Sequence, residues 1–168
     1  MRLVQFDADG RAAALDGRYP GLTAAPGWPH ADSVIGMSFI DSGGLGFLIL
    51  DDDDRIAGDC GTKTPTRPDG SVEIGYGLAA PSRGRGLGGR AVAALVSWLA
   101  QQPGVTSVEA EVEVTNTPSW RVLERIGFTP VGPESDSMLR YRFDALGHPA
   151  EPSPNISLLP PGMGHSSG

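Results

Sequence analysis

Chemistry in this 168-residue chain concentrates in one stretch, Arg83-Gly84-Arg85-Gly86-Leu87-Gly88-Gly89-Arg90. It joins a predicted strand over residues 72–78 to a predicted helix over 87–100. Glycine lets backbone approach a ligand closely, and a helix start leaves its first N–H groups unpartnered. With the positive end of the helix dipole, those groups form an anion site, each favourable charge contact being worth roughly 0.3–1 kcal/mol when exposed. Arg83, Arg85 and Arg90 add fixed positive charge, so the chemistry on offer is a cradle for a polyphosphate. The loop of nucleoside triphosphatases ends in Gly-Lys-Ser/Thr, whereas this one ends in Gly-Gly-Arg. The dinucleotide fingerprint is spelled only if Gly89 is its third glycine, and it would then sit mid-chain with two arginines nearby. A third pattern, Arg/Gln-x-x-Gly-x-Gly/Ala, is met by Arg83-Gly84-Arg85-Gly86-Leu87-Gly88.

The elements that must hold this loop are legible around it. Residues 72–78 alternate, with Val72, Ile74, Tyr76 and Leu78 on one face and Glu73, Gly75 and Gly77 on the other. The helix over 87–100 carries Leu87, Ala91, Ala94, Leu95, Trp98 and Leu99 on one stripe, the spacing of a helix packed on a sheet. Residues 108–114 alternate strictly, valine and alanine against Glu109, Glu111 and Glu113. Asn116-Thr117-Pro118-Ser119 signals a helix start, with Thr117 as cap and Pro118 at the first helical position, and Gly127 ends that helix. Residues 128–131 and 138–143 read as a closing pair of strands. Upstream, residues 1–7 form an opening strand, 11–15 a short helix, and 45–50 with 55–63 a hairpin around the acidic tip 51–54. Residues 32–40 are apolar but too short to assign. From Asp144 the chain turns to proline, glycine and serine, a tail expected to lack regular structure although Ile156, Leu158 and Leu159 could dock on the body.

Composition bounds the function. The length suits one domain, read as residues 1–145 with 146–168 as tail, and 39% hydrophobic residues suffice for a substantial core. A net charge of −7 argues against a nucleic-acid partner, whose footprint is a basic face. Cys60 is the single cysteine, which precludes an intramolecular disulfide and suits a reducing compartment. No secretory segment and no run of about 18 apolar residues is present, so no membrane partner is expected and the location is read as cytoplasmic.

Two blocks carry a family resemblance. Glu73-Ile74-Gly75-Tyr76-Gly77-Leu78 with Arg83-Gly84-Arg85-Gly86-Leu87-Gly88 resembles the coenzyme A pyrophosphate loop of the GCN5-related N-acetyltransferases (GNAT). Downstream, Asn116-Thr117-Pro118-Ser119-Trp120-Arg121-Val122-Leu123-Glu124-Arg125-Ile126-Gly127-Phe128 resembles Asn-x-x-Ser-x-x-x-Leu-Glu-x-x-Gly-Phe of the same family. Both are similar to the RimJ/RimL-like branch, which acetylates ribosomal-protein N-termini, and its small-molecule relatives. Asp59-Cys60-Gly61 fits that branch more loosely, and the resemblance spans roughly residues 45–143. It implies an α/β (α+β) fold with a mixed, mostly antiparallel sheet, flanked by helices and splayed at the cofactor strand near Gly77–Leu78.

The resemblance also implies a mechanism, direct attack of a neutral amine on the thioester of acetyl-CoA with no acyl-enzyme. It assigns Leu78, Ala79 and Ala80 to the cofactor, with Arg83, Gly84, Arg85, Gly86, Leu87, Gly88 and Gly89 around the phosphates. Asn116 would bond the pantetheine arm, Ser119 would lie near the sulfur as candidate acid, and Glu73 would be the base, through a water. Many relatives carry a tyrosine acid four residues before the Gly-Phe, where this chain has Leu123. The implied acceptor is a primary amine, on a peptide N-terminus or a small molecule, and a homodimer is family habit.

Each reading has a structural rival. Glu73 could be an ion-pair residue, Ser119 a first-turn residue and Asn116 a helix cap. His30, after Trp28-Pro29, could line an acceptor pocket, act as base or be incidental. Cys60 reads as a small core residue, and Asp51–Asp54 lack the spaced ligands of a calcium loop, so no metal is expected. At the level of function, the rival is a non-catalytic acyl-CoA-binding module.

Overall fold

A computed structural model describes residues 1–16, 21–149 and 155–158. In chain order the elements are β1 (Arg2–Phe6), α1 (Ala8–Leu15), β2 (Thr23–Ala24), α2 (Ala31–Ser38) with a 3₁₀ turn (Phe39–Ser42), β3 (Gly46–Leu50), β4 (Arg55–Thr62) and β5 (Ser71–Leu78). A 3₁₀ turn (Ala80–Ser82) then leads to α3 (Leu87–Ala100), β6 (Ser107–Glu113), α4 (Thr117–Ile126), β7 (Thr129–Pro133), β8 (Met138–Asp144) and β9 (Ile156–Leu158). The strands form one mixed sheet in the order β7-β8-β6-β5-β4-β3-β1-β9, and β2 pairs with the start of β4. Pairing is parallel at β5–β6, β1–β9 and β2–β4, and antiparallel elsewhere.

Strand alternation divides the apolar residues between two faces. Leu3, Phe47 and Ile49 join one core with Leu87, Ala91, Val92, Leu95, Val96 and Leu99 of α3, while their neighbours Val4, Leu48 and Leu50 join another with Ala14 of α1 and Met37 of α2. Helices therefore cover both faces, as the half-buried sheet requires. Leu95 is fully buried, and burial of such a side chain stabilises by about 1.5–3 kcal/mol. The predicted helix over 87–100 is α3 itself, and the predicted hairpin is β3–β4.

Three local expectations are corrected. Residues 32–40 are helical, capped by His30, whose side chain accepts a hydrogen bond from the Ser33 N–H. Asn116, rather than Thr117, is the N-cap of α4, with its side-chain oxygen accepting from the Ser119 N–H, and Thr117 opens the helix. The tail is not wholly irregular, because β9 adds a parallel strand to β1 with Leu3 opposite Ile156. Leu159 lies outside the described residues.

What positions the site is a parting in the sheet. β5 and β6 share register only from Ser71–Ser107 to Ile74–Ala110. Beyond that, residues 75–78 stay with β4, while residues 111–113 stay with β8. The split thus opens after Ile74, earlier than the Gly77–Leu78 expected. Around its start, Lys63, Arg67, Glu73, Glu109, Glu111 and Arg140 form a chain of ion pairs across β5, β6 and β8. The chain reaches past the start of the parting to Glu111.

Candidate active site

The split opens a cleft of about 640 Å³. One wall is the unpaired edge of β5 at Gly75, Tyr76 and Gly77. The second is the end of β6 with the start of α4, including Glu111, Glu113, Asn116 and Ser119. The third is α2 with β4, contributing His30, Asp32, Gly36 and Asp59. No helix among the described residues is long and apolar enough to cross a membrane.

Beyond the end of β5 the chain continues the edge into the glycine–arginine loop. Ala79 N–H bonds the Ala57 carbonyl, and Gly84 (φ 75°) and Gly86 (φ 72°) then turn the backbone through the left-handed region that glycine adopts without a Cβ penalty. Gly86 is the N-cap of α3 and no side chain caps that helix, so its first N–H groups are left to solvent or a ligand. A β-carbon at Gly88 would lie 3.4 Å from the Leu78 side chain, so α3 starts close against the strand end.

The arginines divide their duties. Arg83 Nε donates to the Leu78 carbonyl at 3.1 Å, bracing the turn, and Arg90 donates to Asp52 at 3.3 Å. Arg85 and Arg90 share a smaller cleft of about 270 Å³ with Asp51, Asp52 and Asp53 of the hairpin tip. Burial would raise the Asp51 carboxyl, but N–H bonds from Arg55 and Asp53 and the charges of Arg55 and Arg85 together hold it below the usual range.

On the helix-covered side of the cleft, Ser119 Oγ lies 2.5 Å from Tyr76 Oη, which also reaches the Ser119 carbonyl at 3.2 Å. Burial pushes the Tyr76 phenol up, partly offset by the bond to Ser119. Leu123 is buried beneath. Asn116 lines the cleft while capping α4. Tyr76 was missed as a site residue because its alternation read as core.

Glu73 is not brought to the cleft wall. Lys63 Nζ holds its Oε1 at 2.5 Å and Arg67 holds its Oε2 at 2.9 Å, which is the ion-pair arrangement. Cys60 is buried, and burial drives its thiol far above its ordinary value.

The opposite side holds a cluster that the sequence did not announce. Asp59, in β4, stands directly across from Gly77 of β5. Its Oδ2 accepts from Trp28 Nε1 at 2.8 Å and from Ser33 Oγ. The His30 ring lies over Gly77, where a β-carbon would be 3.0 Å from its Cε1. Burial raises the Asp59 carboxyl above its ordinary value, although the bonds from Ser33 and Trp28 oppose this. The sequence signals were two unconnected ones, the loose match of Asp59-Cys60-Gly61 and His30 after Trp28-Pro29.

A mixed sheet parted along one strand edge, which leads into an uncapped glycine start of a helix, defines an α/β scaffold built to seat an extended, phosphate-ended ligand. Comparison with known proteins gives the family. The acetyltransferase (GNAT) domain family matches residues 9–129, and the chain belongs to it. The uncharacterized N-acetyltransferase p20 of Bacillus licheniformis is 32% identical over 85 residues, 51% of this chain and 48% of that protein. The chain thus matches about half the length of this curated relative. Among solved structures, the ribosomal-protein-S5-alanine acetyltransferase from Vibrio fischeri superposes with a TM-score of 0.62 at 16% identity, covering 86% of this chain and 93% of that one. RimL, a ribosomal L7/L12 alpha-N-protein acetyltransferase in complex with coenzyme A, gives 0.57 at 20% identity over 65% and 67%. At these identities the structures speak for the fold.

Proposed function

We propose that residues 1–145 form one acetyltransferase domain that moves an acetyl group from acetyl-CoA to a primary amine, by direct attack in a ternary complex in the cytoplasm. The observation that carries the reading is the continuity of the parted β5 edge with the open start of α3. The edge offers backbone N–H and C=O groups to a pantetheine arm, and the helix start offers N–H groups to phosphates. Acetyl-CoA, when bound, supplies an activated acyl thioester. Leu78, Ala79 and Ala80 flank the arm, while Arg83 to Gly89 surround the phosphates. The Tyr76–Ser119 pair stands ready to give a proton to the departing thiolate, the duty a helix tyrosine has in relatives. Holding both reactants in one cleft converts a bimolecular encounter into an oriented one.

The test is thiol release from acetyl-CoA by the purified chain, screened over peptides, aminoglycosides and polyamines, beside thermal stabilisation by ligands. Stabilisation by acetyl-CoA together with amine-dependent thiol release is expected. Stabilisation without release for any amine would make the protein an acyl-CoA-binding module. Stabilisation by ATP or NAD, and none by acetyl-CoA, would overturn the reading altogether.

A further inference from the structure

We propose that Asp59, held by Trp28, Ser33 and the capping residue His30, is the group that takes the proton from the attacking amine. The inference rests on the acetyl-transfer reading above.

Three features of the geometry point to it. First, the carboxylate is asymmetrically engaged. Trp28 Nε1 and Ser33 Oγ both donate to Oδ2, so neither donor engages Oδ1 of this cleft-lining residue. Second, Gly36 of α2 lies over that oxygen, where a β-carbon would be 3.6 Å from Oδ1 and meet nothing else. Glycine inside a helix costs about 1 kcal/mol against alanine. Gly36 has no left-handed backbone to excuse it, so what its missing side chain provides is access. Third, Asp59 faces Gly77 across β4–β5, on the sheet face opposite Tyr76. Acceptor and donor of protons then stand on opposite sides of one parted strand edge, with room for a thioester between them.

His30 has a different part. Its Nδ1 accepts the Ser33 N–H at 3.1 Å to cap α2, and a nitrogen that accepts cannot carry the proton. In that tautomer the ring proton sits on Nε2, so His30 is a donor beside Gly77 and not a base. It fixes α2, and with it Ser33, against Asp59.

The protons balance. An ammonium substrate gives one proton to Asp59 Oδ1, and the resulting amine forms the N–C bond as the C–S bond breaks. The second nitrogen proton leaves as the amide forms; the thiolate takes one proton from Tyr76–Ser119, and the second nitrogen proton, passed through solvent, restores that pair. The products are the acetamide and coenzyme A thiol, with one proton passed from Asp59 to solvent.

The test compares D59N, S33A and E73Q with the wild type, reading amine-dependent thiol release against pH and acetyl-CoA binding by thermal shift. The titratable neighbours of Asp59 at α2 are its cap His30 and Asp32, and both stay in place in all three variants. D59N keeps the shape of the site; we expect acetyl-CoA binding within a factor of two or so, with kcat reduced on the order of a hundredfold or more. S33A removes a donor to the carboxylate, so the acid limb of kcat/KM moves to higher pH, a shift that a structural role for Ser33 would not produce. D59N turning over within threefold of wild type overturns the proposal, as does loss of turnover in E73Q with D59N active. A wild type that binds acetyl-CoA but acetylates no amine removes the parent reading, and this one with it.

Discussion

At the scale of residues, the two candidate bases, Glu73 and Asp59, have opposite surroundings. Glu73 is neutralised by two cations, so its replacement should be felt in stability. With Lys63 and Arg67 about one-third exposed, E73Q is expected to lower unfolding free energy by roughly 1–2 kcal/mol. Urea denaturation checks this. Asp59 has burial working against its charge and, among the described residues, no Lys or Arg in salt-bridge reach. Its folded pKa is raised, so its contribution to stability is complete below the unfolded value, about 3.9, and is lost as pH rises through the folded value. D59N should therefore melt above wild type at pH 7, and the gain should vanish near pH 3. A melting series across that range tests it, and equal or lower stability of D59N at pH 7 would count against a costly ionised carboxylate. Of the site residues, Ser119 and Asn116 could be read from a motif. Asp59 and Tyr76 stood inside matched blocks without a role, because one sat in an apolar strand and the other alternated like a core residue.

At the scale of elements, the strongly patterned segments were the legible ones. The stripe of α3 and the alternation of β6 both encode burial on a single face, and each element appears where its pattern lay. α2 is the counter-example. It has eight residues, with Gly36 in its middle and with Val34 and Ile35 exposed, so no clean stripe announces it. Its helicity comes from the His30 cap and from Met37 packing into the second core. This predicts an unusual trade. G36A should stabilise the fold by up to about 1 kcal/mol, as helix propensity dictates. It should also raise KM for the amine while leaving acetyl-CoA affinity unchanged, because the new methyl stands over Asp59 Oδ1. Denaturation midpoints and steady-state kinetics read the two effects separately, and an unchanged KM would mean that the amine does not pass Gly36.

At the scale of the whole molecule, the parting of the sheet was anticipated but its place was not. Register between parallel strands depends on residues far apart in sequence, and Tyr76 meets Ser119 across 43 positions. The α2 side of the cleft was illegible for the same reason, since Trp28, Ser33 and Asp59 converge from separate elements. The β1–β9 pairing was also hidden, behind a proline-rich composition that suggested irregular chain. It covers the free edge of β1, and an open edge is a template for pairing with other chains. Removing residues 155–168 should leave acetyl-CoA binding intact and promote self-association, measurable by light scattering as a rise in particle size with concentration. A truncated chain that stays monodisperse would show that β9 is dispensable as a cover.

That same pairing sets an order of events in time. β1 is made first, and Leu3 waits for Ile156, 153 positions later. At about 5–20 residues per second, translation leaves the outer edge of β1 uncovered for roughly 8–30 s. Local collapse takes microseconds, so β3 and β4 can join β1 long before β9 exists. Crowded polysomes, where many such half-finished sheets lie side by side, are therefore where this protein is most exposed to its own copies.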